Sequence, residues 1–205
     1  MKLSQKPIVW FDLDGTLINY NERLYEEIQN SKKIPQEIKN ILSETNNRKY
    51  IDLSLSIDYN IVDIKKEKIQ TMINDIRQTE EFFKSLSFRP GVIKTIKELN
   101  QIFNIHFVSK PSEKITSNSE IIKRQLIENT FWYEYGTKKL VLTHDKTMRR
   151  WDIIVDDSPD IDQWAKSPSR TQIFMDQPHN QNIDKPRLFL DKQNEWEQII
   201  KKNLY

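Results

Sequence analysis

Residues 8–16 read Ile-Val-Trp-Phe-Asp-Leu-Asp-Gly-Thr. An apolar run ends in two carboxylates, Asp12 and Asp14, followed at once by Gly15 and Thr16. The run has the length and composition of a buried strand, and the glycine marks its passage into a loop. A carboxylate at the end of a buried parallel strand lies at the carboxyl edge of the sheet, where open α/β folds bind ligands. Two acids so close repel each other unless a cation or a reaction employs them. This stretch therefore predicts Mg²⁺-assisted phosphoryl chemistry, with Asp12 as nucleophile and Asp14 as acid/base.

Strand and helix signals alternate downstream of residue 89. Apolar runs at Ile102–Ser109, Leu140–Thr143, Asp152–Asp156 and Thr171–Met175 predict further strands. Val92, Ile96 and Leu99 share a helical face, and Trp196, Ile199, Ile200 and Leu204 mark a C-terminal amphipathic helix. Ser117 and Glu120 have the spacing of a capping box for a helix running to about Thr130. The alternation predicts an α/β fold, a Rossmann-like core with a parallel sheet and covering helices.

Residues 20–88 read differently. Leu24–Gln29, Pro35–Ser43 and Asp63–Gln78 have helical patterning, and only a weak Ser-alternating run, Leu53–Ile57, hints at a strand. The expectation is a small helical cap inserted after the first strand. Residues 1–19 and 89–205 then form the core, and Arg89-Pro90-Gly91 is the return into it.

Three other places carry chemistry-bearing residues. Ser109 closes the second core strand, where a hydroxyl can donate to a phosphate oxygen, and Lys110 beside it could add positive charge. Lys146 follows a short strand and precedes Asp156 by ten residues, so it could neutralise both nucleophile and phosphate. Asp156-Asp157 ends another strand; Mg²⁺ takes an octahedron of oxygens, of which one or two come from carboxylates. Asp12, the Asp14 carbonyl and one of that pair would supply the protein's share.

Acid pair, hydroxyl, lysine, acid pair is an order that resembles the haloacid dehalogenase (HAD) superfamily of phosphotransferases, in whose phosphatases an acid stands where Asp14 does. A narrower resemblance, to the 5′(3′)-deoxyribonucleotidases, rests on Phe82-Phe83-x5-Arg89-Pro90-Gly91, on Leu142-Thr143-His144-Asp145-Lys146-Thr147, on Asp152-Ile153-Ile154-Val155-Asp156-Asp157 and on Asn194-Glu195-Trp196. It implies that Asp12 is the nucleophile and, with the Asp14 carbonyl, a metal ligand. It implies that Asp157 ligates the metal directly with Asp156 in support, and that Ser109 and Lys146 bind phosphate. Tyr20 falls where the family has an aromatic at the substrate. Tyr50 is the candidate aromatic of the cap for contact with a base, since an aromatic can stack on it. Thr16 and Lys110 depart from the family pattern.

The implied activity is Mg²⁺-dependent hydrolysis of nucleoside 5′-monophosphates, deoxyribonucleotides first, through an aspartyl-phosphate. The alternatives are a HAD phosphatase for another small phosphate or a nucleic-acid end, and a non-catalytic nucleotide-binding module. Composition narrows these. With 32 Lys and Arg against 30 acids, the net charge of +2 gives no basic surface for tracking a polynucleotide. The chain has no cysteine, so disulfides and thiolate metal sites are excluded. No secretory signal or membrane-spanning run is read, and a cytoplasmic protein is expected. The resemblance adds a homodimer as a compatible state.

Overall fold

The computed structural model describes residues 5–43, 65–111, 118–133, 135–147, 150–159 and 170–204. Six parallel strands form one sheet: β1 (Ile8–Asp12), β2 (Asn104–Ser109), β3 (Leu140–Leu142), β4 (Ile153–Asp156), β5 (Thr171–Met175) and β6 (Arg187–Leu188). Their order is β3-β2-β1-β4-β5-β6. The chain builds outward from β1 to β3, then returns to the other side of β1 for β4. That reversal makes the carboxyl ends of β1 and β4 the crevice where such sheets bind ligands.

Both faces of the sheet are buried, as parallel strands require. Val9 and Phe11 of β1 join Ile105, Phe107, Ile153, Val155, Ile173 and Met175 in the main core. Trp10, Val108 and Ile154 point the other way, into a smaller cluster with Trp151. The main core is covered by α5 (Val92–Leu99), α6 (Ser119–Phe131) and α7 (Trp196–Lys202). Trp196 of α7 stacks on Phe11 at 6.1 Å between centroids, which ties α7 to β1.

Between β1 and α5 lie only helices among the described residues: α1 (Tyr20–Asn30), α2 (Gln36–Ser43), α3 (Lys66–Arg77) and α4 (Glu80–Lys84). This is the inserted helical cap expected from the sequence. Ile28, Ile38, Leu42, Ile69 and Ile73 give it an interior continuous with the main core. Thr79 caps α4 by accepting from the Phe82 amide at 3.1 Å.

Several boundaries differ from the sequence reading. β2 starts at Asn104 and not at Ile102, because the amides of Ile102 and Phe103 both turn back to the Leu99 carbonyl and finish α5. α6 has Asn118 as its N-cap, one residue after the Ser117 of the expected capping box; Asn118 is in left-handed backbone at φ 48° and its own side chain makes no cap bond. The Asn118 amide instead donates to Glu80 of the cap at 2.9 Å. Ser117, Leu53–Ile57 and Tyr50 lie outside the described residues. β6 is two residues long, too short to show a period in sequence.

Candidate active site

Register brings the carboxylates together. Phe11 of β1 pairs with Val155 of β4, so the next residues, Asp12 and Asp156, end adjacent strands side by side. On the other flank Asp12 pairs with Val108, and Ser109 follows it. Asp12, Asp156 and Asp157 are all buried, and one oxygen from each lies within 4.8 Å of the others. Lys146, also buried, donates to Asp12 Oδ1 at 2.5 Å and to Asp156 Oδ2 at 2.5 Å.

The charges in this cluster do not balance. Three carboxylates meet one ammonium, so with all three ionised the buried cluster would carry two uncompensated negative charges. Burial, reinforced by Asp156, Asp157 and Asp14, holds the Asp12 carboxyl well above its ordinary range, while Lys146 opposes that rise. Burial raises Asp156 too, again against Lys146. Burial alone would lower Lys146, but Asp12 and Asp156 outweigh it and keep the ammonium charged. A divalent cation is the charge the cluster lacks. Its all-oxygen donor set suits Mg²⁺, a hard ion that takes carboxylates, carbonyls and water. Asp12, Asp156 and Asp157 are the side chains that could hold it.

The loop after β1 is pinned from several sides. Gly15 has φ +81°, and a Cβ there would lie 2.6 Å from Asp157 Oδ2. Only glycine lets the loop pass this close to the acid at that φ. The Gly15 carbonyl accepts from Gln177 Nε2 at 2.7 Å and Arg89 Nη2 at 3.2 Å. Arg89 also pairs with Glu22 of α1 at 2.6 Å, so one buried guanidinium joins the cap to the loop after β1. Thr16 Oγ1 donates to Asp157 Oδ1 at 3.3 Å. The Asp157 backbone carbonyl receives Asn180 Nδ2 at 3.0 Å and lies 3.0 Å from His179 Nε2.

Asp14 and Ser109 meet through a residue that the sequence reading missed. Ser109 Oγ donates to Asp14 Oδ2 at 3.0 Å. Lys123 Nζ, on α6, pairs with the same Oδ2, and also donates to Ser109 Oγ at 2.9 Å and to the Lys110 carbonyl at 3.1 Å. Asp14 Oδ1 is buried without a hydrogen-bond partner. A signal for Lys123 was present: Ser119, Lys123, Ile127 and Phe131, four apart, make one buried helical stripe. A lysine on such a stripe calls for a buried partner.

One cavity of about 290 Å³ opens over these groups. Asp12, Asp14, Lys123, Lys146, Asp156 and Asp157 line its core side; Tyr20, Asn21, Leu24, Arg77, Gln78 and Phe83 line its cap side. Lys110 stands at its edge with an exposed side chain. Tyr20 packs edge-on against Phe82 at 5.1 Å. Burial, with Asp14 nearby, holds its phenol above the ordinary range, so it stays neutral, and Arg77 acts the opposite way. Of the residues singled out in sequence, Asp12, Asp14, Tyr20, Lys110, Lys146, Asp156 and Asp157 line this one cavity, and Ser109 lies directly beneath Asp14.

Among the described residues, no helix is long and apolar enough to cross a membrane. A profile of the family described as 5′ nucleotidase, deoxy (pyrimidine), cytosolic type C protein matches residues 6–204. The chain is 27% identical over 157 residues to a 5′(3′)-deoxyribonucleotidase of Clostridium acetobutylicum, covering 75% of this chain and 74% of that one. It is 28% identical over 109 residues to the mitochondrial 5′(3′)-deoxyribonucleotidase of Homo sapiens, covering 53% of this chain and 47% of that one. The match thus spans about half the length of that human relative. Among solved structures, a haloacid dehalogenase-like family hydrolase from Streptococcus pneumoniae superposes with a TM-score of 0.59 at 13% identity, over 95% of this chain and 98% of that one. That likeness shows the shared fold.

Proposed function

The chain belongs to the family of 5′ nucleotidase, deoxy (pyrimidine), cytosolic type C proteins, and we propose that it is a Mg²⁺-dependent phosphomonoesterase of nucleoside 5′-monophosphates, with deoxyribonucleotides preferred. The observation that carries this reading is the buried Asp12–Lys146–Asp156–Asp157 cluster at the sheet's reversal point, under a helical cap.

Asp12 is the nucleophile. Its carboxylate attacks phosphorus and forms an aspartyl-phosphate while the bond from phosphorus to the nucleoside oxygen breaks. Mg²⁺, when bound, neutralises the phosphate dianion and the carboxylates that face it. Lys146 holds Asp12 by Oδ1 and supplies a cation that stays charged beside the transferring group. Asp14, which lines the same cavity, gives its proton to the departing nucleoside oxygen. It then takes a proton from the water that attacks the aspartyl-phosphate, and phosphate leaves. Lys110 binds phosphate oxygens, and Ser109 does so once its single hydroxyl proton turns from Asp14 Oδ2 to the substrate. Asp12, the Asp14 carbonyl and Asp157 would hold the metal directly, with Asp156 in support. Tyr20 and, in the cap, Tyr50 contact the nucleoside.

The division of labour follows the chain. Residues 1–19 and 89–205 carry the chemistry, and residues 20–88 select the leaving group and exclude bulk water. The substrate is a dissolved small molecule in the cytoplasm.

The reading is tested by phosphate release from a panel of nucleoside 5′- and 3′-monophosphates with Mg²⁺ and with EDTA. Release from 5′-deoxyribonucleotides that stops in EDTA is expected. Release from no nucleotide would end the nucleotidase reading, and equal rates in EDTA would end the metal-dependent one.

A further inference from the structure

The turn after β5, Gln177–Asn180, reaches both loops that carry the acids. Gln177 Nε2 donates to the Gly15 carbonyl at 2.7 Å, in the loop after β1. Asn180 Nδ2 donates to the Asp157 carbonyl at 3.0 Å, just past β4, and to the Met175 carbonyl at 2.9 Å. The turn is held in its own shape, because Asn180 Oδ1 accepts from the Gln177 amide at 3.3 Å and from Arg187 Nη1 at 2.6 Å. Within the turn stands His179, whose side chain is only 4% exposed. Its Nε2 lies 3.0 Å from the Asp157 carbonyl oxygen and 3.3 Å from Asp157 Oδ2. No step of the proposed reaction uses this imidazole.

The neighbours of that nitrogen decide what it carries. A carbonyl oxygen only accepts, so the 3.0 Å contact requires a proton on Nε2. The N–H is thus in reach of two oxygens of one residue, and it ties the Asp157 carboxylate to its own backbone. The other carboxylate oxygen, Oδ1, receives Thr16 Oγ1 at 3.3 Å. Each carboxylate oxygen has one donor beside it and keeps a lone pair for a cation. Oδ2 is also the atom that Gly15 passes closely, so the loop and the ring confine the same oxygen. We infer that His179 is a positioning residue for the metal, its Nε2–H fixing the Asp157 carboxylate in the orientation that completes the Asp12–Asp156–Asp157 cluster. It does not line the cavity, so it acts through Asp157 and not on the substrate. This rests on the metal-dependent part of the proposed function and deepens it by naming what holds the ligand in place.

The test measures Mg²⁺ binding to the substrate-free protein by isothermal titration calorimetry, in the parent, His179→Leu and His179→Gln. Leucine removes the N–H, and the glutamine amide restores a donor at similar reach. Loss of a hydrogen bond to a metal-ligating carboxylate weakens metal affinity by roughly 10-fold or more. The Mg²⁺ dissociation constant should therefore rise roughly 10-fold in His179→Leu and stay near the parent's in His179→Gln. The Mg²⁺ concentration for half-maximal turnover should rise by the same factor in His179→Leu. With Mg²⁺ saturating, its kcat and nucleotide KM should stay close to parental, because Asp12, Asp14 and Lys146 are untouched. A parental Mg²⁺ dissociation constant in His179→Leu would overturn the inference and leave the proposed activity standing. Affinity equally weak in both variants would show that the N–H is not the cause, and would overturn the inference too. A parent that binds no Mg²⁺ would overturn both the inference and the metal-dependent reading. A measurement on the parent alone covers the case in which His179→Leu does not fold. ¹⁵N NMR of the His179 imidazole should show a proton on Nε2, without Mg²⁺ and with it. An Nε2 without a proton in either state would overturn the inference.

Discussion

Lys123 holds Asp14 by a single carboxylate oxygen, Oδ2, and leaves Oδ1 buried without a partner. The ammonium's three donors are all engaged, on Asp14, Ser109 and the Lys110 carbonyl. It therefore acts by fixing Asp14's orientation. Replacing Lys123 with Met should leave Asp14 free to rotate and should lower kcat by roughly 100-fold, since a misplaced catalytic group costs about that much. KM should change far less. Steady-state kinetics on a nucleotide checks this; an unchanged kcat would show that Asp14 needs no such support.

Metal should stabilise the fold, and more so at higher pH. The Asp12 and Asp156 carboxyls are held above their ordinary value of 3.8, chiefly by burial. Between 3.8 and those raised values, the folded chain keeps protons that the unfolded chain releases. Stability of the metal-free protein therefore falls as pH rises through that window, and it stays low above it. Mg²⁺ binds the ionised cluster and offsets this. At ~100 times its dissociation constant it should add about 2.7 kcal/mol, a rise in Tm of roughly 5–10 °C for a chain of this size. Melting with Mg²⁺ and with EDTA at pH 4, close to the ordinary carboxyl value of 3.8, and at pH 8 should give the larger difference at pH 8. Equal differences would contradict the carboxylate cluster as the metal site.

Gly15→Ala should damage both stability and catalysis. The φ of +81° is strained for alanine, and the new methyl would press on Asp157 Oδ2. Strained backbone of this kind costs of order 1–3 kcal/mol. Denaturant unfolding should show that loss, and the apparent Mg²⁺ affinity should fall because Asp157 must move. A variant with parental stability and Mg²⁺ dependence would rule out the close approach.

Much of this was legible in the sequence, for physical reasons. β1 and β4 are apolar runs that stop abruptly at acids, so both the strands and the residues at their carboxyl ends could be read from composition. The hidden parts depend on distant partners. Lys123 reads as a surface lysine until the helical stripe Ser119–Lys123–Ile127–Phe131 is seen to be buried. Gln177, His179 and Asn180 sit in a short turn after β5, and no pattern in sequence aims them at the Gly15 and Asp157 carbonyls. α6 takes Asn118 as its N-cap, and that side chain bonds Glu80 of the cap instead of its own helix, a partner that local sequence does not reveal.

The central claim is that Asp12 takes the phosphoryl group from a nucleotide. Its most direct test is rapid acid quench of the protein mixed with Mg²⁺ and dUMP labelled in phosphate with ³²P, followed by mapping of the labelled peptide. The account predicts label on the peptide that contains Asp12, transient in the parent protein, together with released phosphate, and neither in Asp12→Asn. Phosphate released at the parental rate by Asp12→Asn, or label on a peptide without Asp12, would contradict it.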